Sequence, residues 1–283
     1  MTRFVEKYGP WAVVTGASSG IGEIFARRLA KAGLNVVLVA RRERQLKTLA
    51  NTLEAHFSVQ VRIVSVDLSQ DDFLEHVRQQ TADLEVGLLV NNAGFATNGD
   101  FLGNDLDEEV AMLHVNARAP LVLSHHFGSL MKDRSKGGII FISSTLGFSG
   151  VPSWSNYAAT KAFDHILAEG IARELKRHGV SVLAVAPGPT RTHLWADASN
   201  RLLPFTRPER VVDVALRKLG RRSSVTVGWL NALIVFSTRL LPRSWNARIF
   251  GVVVRLLKRA TASDEDKTLS NNHQTTEQFL HTH

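Results

Sequence analysis

Short runs of apolar, often β-branched residues recur along the chain, separated by longer stretches in which apolar residues return every three or four positions. The short runs fall at Trp11–Thr15, Asn35–Val39, Val61–Val66, Val86–Val90, Gly138–Ser143 and Val180–Ala186, with Val225–Val227 as a candidate seventh. Most are apolar throughout rather than alternating, the pattern of strands buried on both faces. Helical spacing appears over Gly22–Ala32, Glu43–His56, Asp71–Ala82, Leu106–Met131 and Ser155–His178. Strands alternating with helices predict an α/β fold with a parallel, doubly wound sheet flanked by helices.

Composition narrows the class. Hydrophobic residues make up 44% and charged residues 21% of the 283 positions, ordinary for a globular chain able to bury a large core. The chain contains no cysteine, which excludes disulfides and thiolate-held metals. His125 and His126 are adjacent and so do not share a helical face, and no H-E-x-x-H pattern occurs; no metal site is expected. The first ten residues carry Arg3, Glu6 and Lys7 without an apolar core, and no apolar run reaches about 18 residues. Neither a secretory signal nor a spanning helix is expected, and the expected location is cytoplasmic.

Charge changes the picture at one place. Val214 to Ser263 holds ten Lys and Arg residues and no Asp or Glu, more than the net surplus of +8 for the whole chain. Such a stretch is a solvated basic face, or a surface for an anionic membrane or acidic ligand. Nucleic acid is not expected, since no recognised motif accompanies the charge.

Candidate chemistry gathers where predicted strands end. The first strand runs into Thr15-Gly16-Ala17-Ser18-Ser19-Gly20-Ile21-Gly22 and then a helix. A glycine-rich turn there lets backbone N–H groups approach a pyrophosphate at the helix start. The spacing is not G-x-G-x-x-G, and such a turn also serves as a plain connector. Arg41 and Arg42 follow the second strand, where a carboxylate takes the ribose hydroxyls of NAD and arginine suits the 2′-phosphate of NADP. The alternative is two solvated cations opening a helix, which the macrodipole opposes. Asp67-Leu68 follow the third strand and Asn91-Asn92-Ala93-Gly94 the fourth, with Asp67 placed for an adenine amine. Tyr157 and Lys161 are four apart and share a helical face. A free tyrosine titrates near about pH 10, and a nearby ammonium lowers that value. Ser144 follows the fifth strand, within reach of the same point.

In order and spacing, Thr15–Gly22, Asp67, Asn91–Gly94, Asn116, Ser144, Tyr157-x-x-x-Lys161 and Pro187-Gly188 resemble the short-chain dehydrogenase/reductase family, over roughly residues 1–230. The resemblance implies a seven-stranded Rossmann sheet and hydride transfer between NADP(H) and the carbonyl or alcohol of a small apolar substrate. Ketones, aldehydes and 3-ketoacyl compounds are the classes implied. Tyr157 is then the proton donor, and Lys161 holds the nicotinamide ribose and depresses the Tyr157 pKa. Ser144 bonds the carbonyl oxygen, and Asn116 holds a water through a helix distortion. Ser143 competes for the serine role, but its spacing to the tyrosine fits less well. The cofactor set implied is Gly16, Ser18, Ser19, Gly20, Ile21, Gly22, Arg41, Arg42, Asp67, Leu68, Asn92, Ala93, Gly94, Tyr157, Lys161, Pro187, Gly188, Thr190 and Thr192. Tyr8–Val14 and the arginine pair resemble the 17β-hydroxysteroid and 3-ketoacyl reductase branch.

The expected organisation is one catalytic domain over 1–262, with its core at 8–228, an extension of C-terminal helices at 229–262 and a flexible polar tail at 263–283. The extension departs from the family core, and three placements for it stay open: a peripheral membrane surface, its own domain, or a second subunit of a homo-oligomer. Phe148, Val151, Trp154, Leu194 and Trp195 are expected to line an apolar pocket beneath a lid at Thr190–Pro204. The alternative function is a non-catalytic NADP-binding sensor or scaffold; the filled Asn, Ser, Tyr and Lys positions argue against it.

Overall fold

Each predicted apolar run forms a strand: β1 (Trp11–Thr15), β2 (Asn35–Ala40), β3 (Val61–Ser65), β4 (Val86–Asn91), β5 (Gly137–Ile142), β6 (Val180–Ala186) and β7 (Ser224–Thr226). They pair in parallel in the order β3-β2-β1-β4-β5-β6-β7. Val13 stands beside Val37 on one side and Leu89 on the other. Every residue of β1, β4 and β5 is buried, which is why these runs are apolar throughout. The strand order reverses between β1 and β4, and a crevice opens there beyond the carboxyl ends. The computed structural model describes residues 2–190, 205–252 and 254. Thr192, Leu194, Trp195, nearly all of the expected lid and the expected tail lie outside the described residues.

Two apolar layers cover the sheet. One holds Phe25 and Leu29 of α2 (Gly20–Lys31), Leu46 and Leu53 of α3 (Glu43–His56) and Val211 and Val212 of α8 (Pro208–Lys218). The other holds Phe73 and Val77 of α4 (Phe73–Thr81), Leu123 and Phe127 of α6 (Ala119–Asp133) and Ala168 and Ala172 of α7 (Ser155–Lys176). Each large apolar side chain buried this way contributes roughly 1.5–3 kcal/mol. Helix α3 shows the pattern: Leu46, Leu49, Ala50 and Leu53 are its buried face, one stripe of a 3.6-residue period.

The structure differs from the sequence reading in three helical regions. Two unexpected helices appear, α1 (Thr2–Tyr8) and α8. Both are short, and α8 buries only Val211, Val212 and Ala215. The single helix expected over Leu106–Met131 is α5 (Leu106–Leu113), a π-helical turn (His114–Arg118) and α6. Asp105 caps α5 by accepting from the Glu108 amide. A π turn adds one residue to a turn without changing the apolar pattern enough to be read from it. It brings Asn116 fully into the interior. Helix α9 (Trp229–Thr238) and helical residues 243–252 follow β7.

Candidate functional site

A cleft of about 650 Å³ lies beyond the carboxyl ends of the strands. At one end, Thr15 locks β1 to β4. Its hydroxyl donates to the Val90 carbonyl and accepts from the amides of Asn92 and Ala93. Gly16 has φ +65°, and a Cβ there would stand 2.8 Å from both Ala93 Cα and Asn92 Nδ2. Gly22, expected among the cofactor contacts, does not line the cleft. It packs against the Gly16 carbonyl and Asn92 Nδ2, so it shapes the turn from behind. Ser18, Ser19, Gly20 and Ile21 do line the cleft. Ser19, at the N-cap of α2, makes no side-chain capping bond, so the first-turn amides have no side-chain acceptor. That arrangement fits a pyrophosphate.

The arginine pair divides its contacts. The Arg42 guanidinium donates to the hydroxyls of Ser18 (2.9 Å) and Ser19 (2.7 Å). Arg41 lies 3.6 Å from Asp67 Oδ2, and the other carboxylate oxygen accepts from the amide and hydroxyl of Ser69. Burial pushes the Asp67 carboxyl up, but the Ser69 bonds and Arg41 hold it below the usual carboxylate range. Leu68, Asn92, Ala93, Gly94, Pro187, Gly188 and Thr190 also line the cleft.

At the other end lie Ser144, Tyr157 and Lys161, all buried and all lining the cleft. Helix α7 carries the tyrosine and lysine; the Ser143 hydroxyl fastens it to the end of β5 by donating to the Lys161 carbonyl (2.7 Å). Lys161 Nζ donates to the Ile142 carbonyl (2.9 Å) and to Asp164 Oδ2 (3.0 Å). Ser144 Oγ accepts from the Leu146 amide (3.2 Å), and the Ser144 hydroxyl also pairs with the Tyr157 phenol. Burial raises the Tyr157 phenol above its ordinary pKa, against the pull of Lys161 and a Ser144 hydrogen bond; Asp164 adds to the rise. Lys161 does pull the phenol down, as expected, but removing the phenol from water outweighs the ammonium and the net shift is upward. Burial works against the Lys161 ammonium too, but Asp164 and Tyr157 outweigh it and raise its pKa.

Asn116 does not line the cleft. Its amide nitrogen donates to the Phe95 carbonyl and the Thr160 hydroxyl, and its oxygen accepts from the Phe95 amide. It lies just behind Gly94, where a Cβ would come 3.1 Å from Asn116 Oδ1 and 3.6 Å from Lys161 Nζ. Phe148, Val151 and Trp154, expected in the apolar pocket, are not in the cleft wall; Phe95, Ala96, Val115 and Leu146 are. The short 3-10 turn Thr145–Phe148 directs Phe148 onto His165. Val151 is buried, and Trp154 meets the Tyr157 ring edge-on with centroids 5.9 Å apart.

The short chain dehydrogenase family model matches residues 10–202. The chain belongs to the short-chain dehydrogenase family. It is an oxidoreductase of the kind that uses a nicotinamide cofactor. It is 33% identical over 233 residues to a 7beta-hydroxysteroid dehydrogenase of Clostridium sardiniense, covering 81% of this chain and 89% of that one. It is 33% identical over 241 residues to a very-long-chain 3-oxoacyl-CoA reductase of Rattus norvegicus, covering 84% and 77%. A short-chain dehydrogenase of Sphingobium yanoikuyae, solved in complex with NADPH, superposes with TM-score 0.71 at 34% identity, covering 77% of this chain and 87% of that one.

Two buried acids that support this dehydrogenase's site from behind escaped the sequence reading. Asp164 lies three positions after Lys161 on one helix, a spacing that could have paired them. Glu109 is buried, yet it stands in the acidic first turn of α5, where an acid ordinarily faces solvent and favours the helix dipole; the sequence carried no signal that it turns inward.

Proposed function

We propose that this enzyme moves hydride between NADP(H) and the carbonyl or alcohol carbon of an apolar substrate, of the hydroxysteroid or 3-oxoacyl type on which its named relatives act. The observation that carries the reading is one cleft with Ser144, Tyr157 and Lys161 at one end and an uncapped helix start beside two arginines at the other. The nicotinamide cofactor, when bound, supplies or accepts the hydride. Tyr157 delivers the proton to the substrate oxygen, and its raised pKa keeps it protonated at neutral pH. Ser144, paired with the Tyr157 phenol, turns its O–H to the same oxygen when substrate arrives. Lys161 places a positive charge beside the phenol and holds the ribose. Asn116 fastens the Phe95 backbone against α7, behind Gly94 and Lys161. Arg41 and Arg42 hold the 2′-phosphate, while Ser18 and Ser19 with the start of α2 hold the pyrophosphate.

The test is NADPH oxidation with a panel of ketosteroids and 3-ketoacyl thioesters. Tyr157→Phe keeps the ring and removes the proton donor, so turnover should fall by at least about 10²-fold with NADPH binding retained. Near-normal turnover by that variant refutes the assignment. No turnover by the wild-type chain on any carbonyl, with NADPH still bound, favours the sensor reading.

A second reading concerns the surface around the site. Trp229, Leu233, Phe236, Leu240 and Trp245 are exposed, interleaved with exposed Arg239, Arg243 and Arg248. Among the described residues no helix is long and apolar enough to cross a membrane. We propose that this face rests on an anionic membrane surface, apolar side chains entering the interface and arginines meeting the headgroups. Asn231 on the same helix packs against Gly188 of the cleft, which sets this face beside the site. Sedimentation with phosphatidylserine vesicles, reversed by salt, supports this; no binding at low salt overturns it. Apolar side chains on α5 and α7, among them Val110, Leu113 and Ile166, are also exposed. We propose these as the contact of a homo-oligomer, which light scattering on the purified chain tests.

A further inference from the structure

Asp164 stands one helical turn beyond Lys161 on α7 and is as deeply buried as the lysine. Its Oδ2 lies 3.0 Å from Lys161 Nζ. Its Oδ1 is buried with no hydrogen-bond partner among the described residues. A buried carboxylate with one oxygen unused is a poor way to fill space, since an apolar residue of similar volume would serve packing better. The charge therefore matters for what it does to Lys161.

We propose that Asp164 is a positioning residue of this dehydrogenase: it anchors the Lys161 ammonium against β5 and sets the alkaline limit above which the Tyr157–Lys161 pair no longer holds the proton it must deliver. The inference rests on the proton-donor reading of Tyr157 given above. The geometry closes a short chain in the order Tyr157, Lys161, Asp164 along one helix face. The Ile142 carbonyl and Asp164 carboxylate together fix two of the three ammonium protons, leaving one for a ligand in the cleft.

Among the described residues the charged surroundings are few. On α7, Asp164 faces Lys161, with Tyr157 beyond it. The next residue, His165, lies 3.3 Å from Glu169 and feels Arg239 from the α9 side. The end of β5 and the Thr145–Phe148 turn bring carbonyl and hydroxyl groups without charge. With Asp164 ionised, losing a proton from the Tyr157–Lys161 pair leaves a net negative charge in a buried site. Without it, the same loss leaves the site neutral. Removing Asp164's charge therefore releases that proton at lower pH, whichever of the two groups gives it up. Burial pushes the Asp164 carboxyl up to about 6, against the pull of Lys161, so the carboxylate is ionised at neutral pH. The consequence is an enzyme kept in the proton-donating, carbonyl-reducing state into alkaline solution.

The experiment is the pH profile of carbonyl reduction by the full chain for wild type, Asp164→Asn and Asp164→Ser, two variants so that either one folding suffices. Loss of the carboxylate should move the alkaline limb down by about 1–3 pH units, the usual effect of one close buried charge, while Asp164→Glu should partly restore it. A second readout needs no turnover. The chain has two tyrosines, Tyr8 and Tyr157, so in a Tyr8→Phe background the ultraviolet absorbance of phenolate reports Tyr157 alone. There too the transition should fall to lower pH on removing Asp164. An alkaline limb and a phenolate transition that both stay in place in a folded variant overturn the proposal. Tyr157→Phe run alongside separates the two failures: if that variant remains active, the proton-donor reading fails first; if it is inactive and the Asp164 variants leave the profile unmoved, only this inference fails.

Discussion

One amide nitrogen of Asn156 donates both to the Glu109 carboxylate (2.6 Å) and to the Glu109 backbone carbonyl (2.9 Å). The residue before Tyr157 is thereby tied to α5. The other carboxylate oxygen accepts from Thr97 (2.6 Å) and Asn104 (2.6 Å), so one buried acid joins the loop after β4, α5 and the start of α7. Glu109→Ala leaves three donors without their acceptor. Hydrogen bonds to a charged group are worth about 1.5–3 kcal/mol each, though not additively, and a loss of about 2–4 kcal/mol in unfolding free energy is expected. Denaturant titration measures it, and a variant as stable as wild type would show that solvent replaces these contacts without loss.

The same acid has a pH signature. Burial pushes the Glu109 carboxyl up, but the bonds from Thr97, Asn104 and Asn156 hold it below its ordinary value. A carboxyl depressed by folding contributes stability that is complete above the ordinary range of about pH 4.3 and is lost as pH falls through the depressed folded value. The stability gap between wild type and Glu109→Gln should thus be largest above about pH 5 and narrow steadily in more acid solution. A gap that does not change with pH would assign the stabilisation to shape rather than charge.

In the proposed NADP(H) reading, cofactor preference rests mainly on Arg41, with Arg42 as a second cation nearby. Arg41 is largely exposed and its 3.6 Å pair with Asp67 is loose, the kind of surface pair worth about 0–1 kcal/mol. Arg41→Ala should leave the melting midpoint nearly unchanged yet weaken NADPH binding by about tenfold or more, with little change for NADH. Arg42 already bonds Ser18 and Ser19, so Arg42→Ala should loosen the glycine turn and weaken both cofactors. Dissociation constants for NADPH and NADH with each variant check this; a wild-type chain that binds NADH more tightly would contradict it.

Ser143 and Ser144 are neighbours with different duties. Ser143 donates its only hydroxyl proton to the Lys161 carbonyl, whereas Ser144 pairs with the Tyr157 phenol in the cleft. Ser144→Ala should lower kcat by about 10²-fold or more, in line with loss of a donor to the reacting oxygen, with stability little affected. Ser143→Ala should cost about 1 kcal/mol of stability and a smaller share of kcat. Equal kinetic losses in the two variants would remove the distinction.

The sequence by itself determined the sheet and the address of the site. Seven runs became seven parallel strands, and the inner ones are apolar along their whole length because they are buried on both faces. The edge strands β3 and β7 are only half-buried and carry Arg62, Ser65, Ser224 and Thr226. Turn residues such as Gly16, Asn92 and Ser144 fell at strand ends because ligands in such sheets bind where strand order reverses. The four-residue step from Tyr157 to Lys161 fixed their shared face, since helix geometry is local. What only the tertiary structure decided are the relations between distant segments. Gly22 lies behind the turn rather than in the cleft, packed against the Gly16 carbonyl and against Asn92, which follows a different strand. Phe148 points to His165 instead of the pocket, through a turn whose direction no periodicity records. Asn116 turns inward on one extra residue in a π turn. The direction of the Tyr157 shift was legible only in part: the spacing gave the ammonium, but burial and Asp164 decided the balance. Desolvation depends on everything packed around a group, and that sum exists only once the chain has folded.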